Sequence, residues 1–314
     1  MEKGKLYLAA DSGGSKTVWL LIDQNGNLIK NVKTKGLGSA PGTLPIKETV
    51  AEAYNELCAY GEPTKIFLSL GGPNTDEVKD AIISLFGSIP TTVEREASGN
   101  SVLLAARVLG CSAVVMCGTG SVAVGDTKRG RKYAGGWGPV YGDGGSGGGM
   151  GSDALRIFLN SIDTNQNLGE FATLFEQLYL GLDISSFNDR MELKRRALAM
   201  SRRELAALAP KIYDLAENKN PTALKLYEKA ASEISDLALG VSDNDPDFSV
   251  LLLGGFFTAK PRLVEDCRRI FAKSSRASLV YEPRFSPIVA AQMSVLRSDG
   301  IKITTELFKK LLNN

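Results

Sequence analysis

The sequence predicts an α/β protein made of two similar halves, the second carrying a helical insertion. Three observations lead there. The 314 residues exceed what one ordinary core holds and suit two domains. The order β-β-β-α-β-α-β-α can be read twice along the chain. The fourth strand of each half ends in paired glycines, in Leu68-Ser69-Leu70-Gly71-Gly72 and in Leu251-Leu252-Leu253-Gly254-Gly255. Hairpins are common, so one strand–turn–strand means little. The same order of elements twice, with glycines at matching places, marks an internal repeat.

In the first half, Lys5 to Ala10 is β-rich, Asp11-Ser12-Gly13-Gly14-Ser15 is a turn, and Lys16 to Asp23 is a second apolar strand. Asn25-Gly26-Asn27 signals a hairpin into a third strand, Leu28 to Thr34. A helix over Ile46 to Tyr60 follows, then a buried strand Ile66 to Leu70 and a helix Asp76 to Phe86. A short strand Thr91 to Glu94 and a helix Asn100 to Leu109 complete the half.

The second half repeats the pattern. Ala113 to Cys117 is a strand, Gly118-Thr119-Gly120-Ser121 the turn, and Val122 to Asp126 the return strand, with a third strand near Tyr133. A mostly helical block over 153–240 shows apolar spacings of 3 and 4, as in Leu224, Tyr227, Ala231 and Ile234, with its first helix starting at Ser152-Asp153-Ala154-Leu155. Strands Val250 to Leu253 and Ser278 to Tyr281 alternate with helices Pro261 to Phe271 and Pro287 to Leu296. The domains expected are therefore 1–112 and 113–297, with a last helix over about 298–314 packing back on the first.

Composition narrows the function classes. With 43% hydrophobic and 23% charged residues, the chain reads as a soluble globular protein. A net charge of +2 without a long basic run gives no nucleic-acid footprint. No apolar run reaches the ~18 residues of a membrane span, and the start lacks a signal-peptide core, so a cytoplasmic protein is expected. The four cysteines, Cys58, Cys111, Cys117 and Cys267, form no C-x-x-C pair and read as buried thiols. The chain has no histidine, which removes Ser-His and Cys-His catalysis and most zinc sites. Acid–base chemistry must rest on carboxylates, lysines or tyrosines.

Both glycine turns suit phosphate. Such a turn between apolar strands presents backbone N–H groups and lets a phosphate approach without a side-chain clash. Ser12, Ser15, Thr17, Thr119 and Ser121 add hydroxyls there, and Lys16 adds charge. Asp11, at the end of the first strand, is placed to hold Mg²⁺ beside phosphate oxygens. A plain hairpin is the alternative for either turn alone. Two opposed turns on two similar domains make a clamp for a nucleoside triphosphate.

Between Tyr133 and Asp153, ten of 21 residues are glycine. A flexible linker is the bland reading. Tyr133, Trp137, Tyr141 and Asp143 argue against it, because bulky rings and a carboxylate on bare backbone describe a wall for a ligand.

Asp11 to Thr17, Gly118 to Ser121, and Gly254-Gly255 after an apolar strand resemble the two phosphate motifs and the adenosine motif of the acetate and sugar kinase, heat-shock chaperone and actin superfamily. Within it, Gly135-Gly136-Trp137-Gly138 with Gly142-Asp143 and Gly145-Ser146 resembles the N-acetylglucosamine kinase and BadF/BadG/BcrA/BcrD ATPase type. The resemblance runs from Leu6 to about Leu296 and implies duplicated ribonuclease H-like (actin-like ATPase) domains with a nucleotide cleft between them. It also implies ATP and Mg²⁺ as cofactors and a sugar as substrate.

Position by position, the resemblance implies that Gly13, Gly14, Ser15, Lys16, Thr17, Gly118, Thr119, Gly120 and Ser121 hold phosphates. Gly254, Gly255 and Phe256 would lie by adenine. Gly135, Gly136, Trp137 and Asp143 would touch the sugar, with Thr119 between sugar and phosphate and Ser39 in the loop after the third strand. Glu96 stands where the family has its Asp base, so Glu96 and Asp143 are the expected catalytic pair. A solvated helix N-terminal carboxylate is the alternative for Glu96, and a turn-forming Asp for Asp143. Gly144 replaces a Glu, and Gly38-Ser39-Ala40 lacks the common Asn. The expected activity is ATP-dependent phosphorylation of an amino sugar such as N-acetylglucosamine. A non-catalytic sugar- and ATP-binding regulator, or an ATPase activator with an Fe–S cluster, are the alternatives. A homodimer is left open, the helical block being a candidate interface.

Overall fold

The computed structural model describes residues 4–14, 16–38, 42–72, 74–242, 248–258, 260–273 and 277–314. They form two units, Met1–Ser112 with Glu282–Asn314, and Ala113–Tyr281.

The first unit opens with β1 (Leu6–Ser12), β2 (Lys16–Asp23) and β3 (Leu28–Lys35), an antiparallel meander. The helix α1 (Thr43–Leu57), β4 (Lys65–Leu70), α2 (Thr75–Phe86), β5 (Thr91–Arg95) and α3 (Asn100–Ala106) follow. The sheet order is β3-β2-β1-β4-β5, with β4 and β5 parallel to β1. Burial explains the sequence of β1. Leu8 and Ala10 face a core with Trp19, Leu68, Ile46 and Ile82, while Tyr7 and Ala9 are buried on the opposite face. A strand covered on both faces reads as a continuous apolar run.

The second unit repeats this. Its strands β6 (Ala113–Cys117), β7 (Ser121–Thr127) and β8 (Gly130–Gly135) are again antiparallel. Then come α4 (Gly138–Tyr141), α5 (Gly147–Thr164), α6 (Glu176–Tyr179), α7 (Phe187–Ala199), α8 (Arg202–Ala206), α9 (Leu208–Glu217) and α10 (Pro221–Ser242). Finally β9 (Ser249–Leu253), α11 (Pro261–Phe271) and β10 (Ser278–Tyr281) complete the order β10-β9-β6-β7-β8. That order matches the first sheet strand for strand. The helix α10 packs on β6, β7 and β8, so the end of the helical block is the repeat's own first helix, and the insertion proper is α4 to α9.

Two expectations change. The helix α12 (Pro287–Ser298) was expected to close the second half, but it packs on β1, β4 and α3 of the first unit. It is followed there by α13 (Thr305–Leu311). The boundary therefore falls after Tyr281 rather than near 297. Helix α5 begins at Gly147, five residues before the expected start. Ser146 caps it by accepting from the Gly149 N–H at 3.1 Å. Glycines are required in its first turns because side chains at 148, 149 and 151 would overlap the carbonyls of Thr119, Asp143 and Leu205. Close tertiary packing here overrides the poor helix propensity of glycine. No helix among the described residues is long and apolar enough to cross a membrane.

Candidate functional site

The β1–β2 turn is braced from within. The Ser12 and Thr17 hydroxyls share a hydrogen bond of 2.7 Å. Thr17 donates to the Lys35 carbonyl at 2.9 Å, and the Leu37 N–H donates to Ser12 Oγ at 3.0 Å. Both side chains are buried. The expectation that Ser12 and Thr17 offer hydroxyls to phosphate is therefore corrected: their hydrogen bonds fix the turn. Facing outward are Gly13, Gly14 and Lys16. A Cβ added to Gly13 would meet nothing within 4 Å. Beneath it, Gly36, Gly38, Gly71 and Gly72 pack so tightly that a side chain at 36 would strike the Gly13–Gly14 backbone and one at 72 the Gly38 carbonyl. The result is a side-chain-free floor under an open turn. Ser15 and Ser39, expected ligand contacts, lie outside the described residues.

Two carboxylates converge at this end of the sheet. Glu96 follows β5, and its Oε2 lies 2.9 Å from where a Cβ on Gly71 would stand. Asp11 ends β1, half-buried like Glu96. Burial, then repulsion from Glu96, push the Asp11 carboxyl up to about 8, while Lys16 pulls it down. Burial also raises Glu96. Among the described residues neither carboxylate has a hydrogen-bond or ion-pair partner. Glu96 opens a short 3-10 turn, Glu96–Ser98, as the helix N-terminal alternative expects, while it is Glu94 that bonds the start of α3, its Oε1 accepting from the Ser101 N–H at 3.0 Å and from Ser101 Oγ at 3.1 Å. Across the parallel register from Asp11 sits Ser69, whose buried Oγ has no partner. A carboxylate pair beside an orphaned hydroxyl is a hard-oxygen donor set that suits a divalent cation such as Mg²⁺, which takes one or two carboxylates plus phosphate oxygens.

The β6–β7 turn has another charge pattern. Gly118 and Thr119 are exposed, and a Cβ on Gly118 would meet nothing within 4 Å. Ser121 is turned inward, its Oγ donating to the Gly144 carbonyl at 2.6 Å, so its hydroxyl is likewise a brace. Asp143 is only 4% exposed and sits against the turn at φ 63°, a conformation that Asp and Asn tolerate better than most residues. It accepts from the Ser121 N–H at 3.3 Å and pairs with the Arg202 guanidinium from α8. A side chain at Gly120 would collide with both Asp143 and Arg202. The first N–H groups of α5 are spent on the same turn, Gly147 donating to Gly118 and Gly148 to Thr119 at 2.9 and 3.0 Å.

The glycine stretch divides in two. Its second part builds the start of α5. Its first part carries exposed rings: Trp137 is 77% and Tyr141 89% exposed, on a backbone where Gly135, Gly136 and Gly138 all have positive φ. The rings are thus exposed where Asp143 is buried. At the Gly254-Gly255 turn, Gly255 is exposed and open, but Phe256 is 3% exposed and stacks on Tyr227 with centroids 6.5 Å apart. Phe256, expected beside adenine with Gly255, has its ring in the core, so only its backbone is left to meet a ligand. Reasoning from sequence missed Ser69, Arg202 and Lys260. The Lys260 ammonium lies 4.5 Å over the Phe256 ring, and burial lowers it to about 8.

The chain matches the BadF/BadG/BcrA/BcrD ATPase family over residues 10–292. It is 25% identical over 280 residues to an N-acetyl-D-glucosamine kinase of Dictyostelium discoideum, covering 80% of this chain and 85% of that one. It is 26% identical over 247 residues to an N-acetylmuramic acid/N-acetylglucosamine kinase of Clostridium acetobutylicum, covering 73% and 77%. Among solved structures, a protein assigned as an N-acetylglucosamine kinase from Chromobacterium violaceum superposes with a TM-score of 0.69 at 19% identity, over 93% of this chain and 99% of that one.

Proposed function

The chain belongs to the BadF/BadG/BcrA/BcrD ATPase family, and we propose that within it the protein is an ATP-dependent kinase phosphorylating a hydroxyl of an amino sugar such as N-acetylglucosamine. One observation carries the reading: Glu96 is a half-buried carboxylate beside an open glycine turn, with no hydrogen-bond or ion-pair partner among the described residues. Its raised pKa suits a general base, whose affinity for a proton must approach that of its surroundings at working pH. The sugar class is that of the two kinase relatives.

In the transfer, a sugar hydroxyl oxygen bonds to the γ-phosphorus as the bond to the ADP oxygen breaks, and the hydroxyl proton passes to Glu96. Such reactions gain most from positioning and charge neutralisation. The turns at Gly13 and Gly118 leave open space for a phosphate, although the N–H groups of these two glycines are themselves donated to the Lys16 and Gly120 carbonyls, and Lys16 adds charge at the first. Asp11, with Ser69 Oγ opposite, would hold Mg²⁺, which when bound neutralises phosphate charge. Asp143 keeps lone pairs beyond its two present partners and would accept from sugar hydroxyls.

The iron–sulfur activator reading is disfavoured by the thiols. Cys58 is exposed while Cys111, Cys117 and Cys267 are buried, and among the described residues no three of them gather as a ligand set, whereas clusters are held by grouped cysteines. The test is ATP turnover with N-acetylglucosamine, N-acetylmannosamine, glucosamine and glucose against a sugar-free blank. Turnover rising at least about tenfold with one acetylated sugar is expected, a difference of ~1.4 kcal/mol in barrier. Sugar binding without turnover would make the protein a regulator instead.

A further inference from the structure

Helix α8 is short but firmly placed. Ser201 and Glu204 form a capping box, the Glu204 carboxylate accepting from the Ser201 N–H at 2.7 Å and Ser201 Oγ accepting from the Glu204 N–H at 3.2 Å. One turn along, the Leu205 carbonyl lies so close to α5 that only glycine fits at 151. These two constraints fix the first residue of the helix, Arg202. Its stem runs past the first turn of α5, with Cγ 3.6 Å from where a Cβ on Gly148 would stand. Its guanidinium covers Gly120.

One N–H of that guanidinium goes to Asp143 Oδ2, and among the described residues the others have no partner. The side chain is 43% exposed, unlike the 4% of its carboxylate partner. A pair built only to neutralise a buried carboxylate would use both arms of the fork, because bidentate pairing is the stronger geometry. Here one arm is anchored and the rest is presented over the turn whose Gly118 is bare and open. A guanidinium fork is suited to phosphate, and Lys is not its equivalent there.

We infer that Arg202 is a phosphate-binding residue of the nucleotide site, anchored by Asp143 and reaching the terminal phosphates at the Gly118–Gly120 turn. This rests on the kinase reading for the identity of the ligand. Asp143 then has two roles, since the carboxylate that aims Arg202 is also the one offered to sugar hydroxyls. Sugar arriving at Asp143 loosens its hold on the guanidinium, which ties phosphate binding to sugar binding.

The experiment compares wild type, Arg202→Gln and Arg202→Lys, measuring affinities for ATP and AMP by calorimetry with Mg²⁺, and kcat and KM for sugar phosphorylation. In Arg202→Gln, ATP affinity should fall at least about tenfold while AMP affinity holds, and kcat should fall about 10²-fold, modest beside the range for arginine fingers. Arg202→Lys should recover only part of each loss. A role confined to neutralising Asp143 would raise the KM for sugar and lower Tm but leave the ATP-to-AMP affinity ratio unchanged. That unchanged ratio would overturn the inference, as would wild type that binds no ATP. Should Arg202→Gln fail to fold, the ratio in Arg202→Lys decides by the same criterion. Wild type that binds ATP yet turns over no sugar would sink the kinase reading, while the affinity ratio still judges Arg202.

Discussion

At the end of β1 two half-buried carboxylates, Asp11 and Glu96, repel each other, and no basic side chain among the described residues is ion-paired to either. At the end of β6 the equivalent turn holds one buried carboxylate, Asp143, already matched by Arg202. The strand order around the two turns is the same. Duplication has kept the backbone, with its open glycine and its internally braced hydroxyls, and reversed the electrostatics. One turn leaves its carboxylates without an ion pair among the described residues; the other pairs its carboxylate with an arginine of its own unit. A fold repeat thus predicts where a site lies but not which charge it wants.

The sharpest way to break the comparison is at Glu96. Glu96→Gln should lower kcat by about 10²–10³-fold with a small change in sugar KM, within the usual range for losing a general base. Glu94→Gln, two residues away, should keep its activity and lose about 1 kcal/mol of stability, as expected when a helix cap is weakened. Equal kinetics for the two variants would show that the base is elsewhere.

On the other side, Asp143→Asn keeps a residue suited to the positive φ while removing the charge. Sugar affinity by titration should drop roughly tenfold to a hundredfold, the worth of charge-assisted bonds at 1.4 kcal/mol per decade. Loss of ATP binding with sugar binding intact would reassign the glycine stretch to the nucleotide.

The glycines test what the halves share. Gly13→Ala and Gly118→Ala meet open space, so stability should stay within about 0.5 kcal/mol while ATP affinity falls about tenfold. Gly72→Ala and Gly148→Ala meet backbone carbonyls and should cost about 1–3 kcal/mol in chemical denaturation, the scale of overpacking. Unchanged ATP affinity in the first pair would empty both turns of phosphate.

The smallest effect is in pH. The folded state raises Asp11 to about 8, chiefly by burial, so it holds that proton more tightly than the unfolded chain. Its contribution to stability is complete below the unfolded pKa near ~3.9 and is lost as pH rises through about 8. Asp11→Asn should therefore flatten the stability profile over that window and be the more stable form at pH 8.5. A gain of ~2–4 °C in Tm, corresponding to about 1 kcal/mol in a domain of this class, is expected in metal-free buffer. A steeper profile in the variant would contradict the charge pattern assigned to this turn.

Much of this was legible in the chain itself, for identifiable reasons. Doubly buried strands such as Leu6–Ser12 announce themselves as apolar runs, and the paired glycines after Leu70 and Leu253 mark where backbones meet. Local patterns cannot tell whether a hydroxyl points out or in, which is why Thr17, Ser121 and the Phe256 ring were expected at ligands and are found in the framework. Glu94 lies in β5 and bonds Ser101 of the next helix, while Glu96 lies just past the strand end, a difference that two acidic residues so close in sequence do not announce. Arg202 had no local signal at all: 59 residues separate it from Asp143, and the fold alone joins them. The start of α5 was hidden because Gly147 to Gly151 are chosen by neighbours rather than by helix propensity.

The return of Glu282–Asn314 to the first unit has a consequence for how the molecule is made. Buried Val289, Ala290 and Met293 on α12 belong to the helix that packs on β1 and β4, and Asp299 ties that tail to Tyr7 at 2.7 Å and Lys5 at 2.9 Å. A nascent chain leaving the ribosome delivers β1 long before the helix that covers it. By then every residue of Ala113–Tyr281 has emerged, so the later-made unit is free to fold as a guest inside an unfinished host. Until α12 emerges, β1 waits with one apolar face uncovered, a state of the kind that makes partly made domains prone to aggregate.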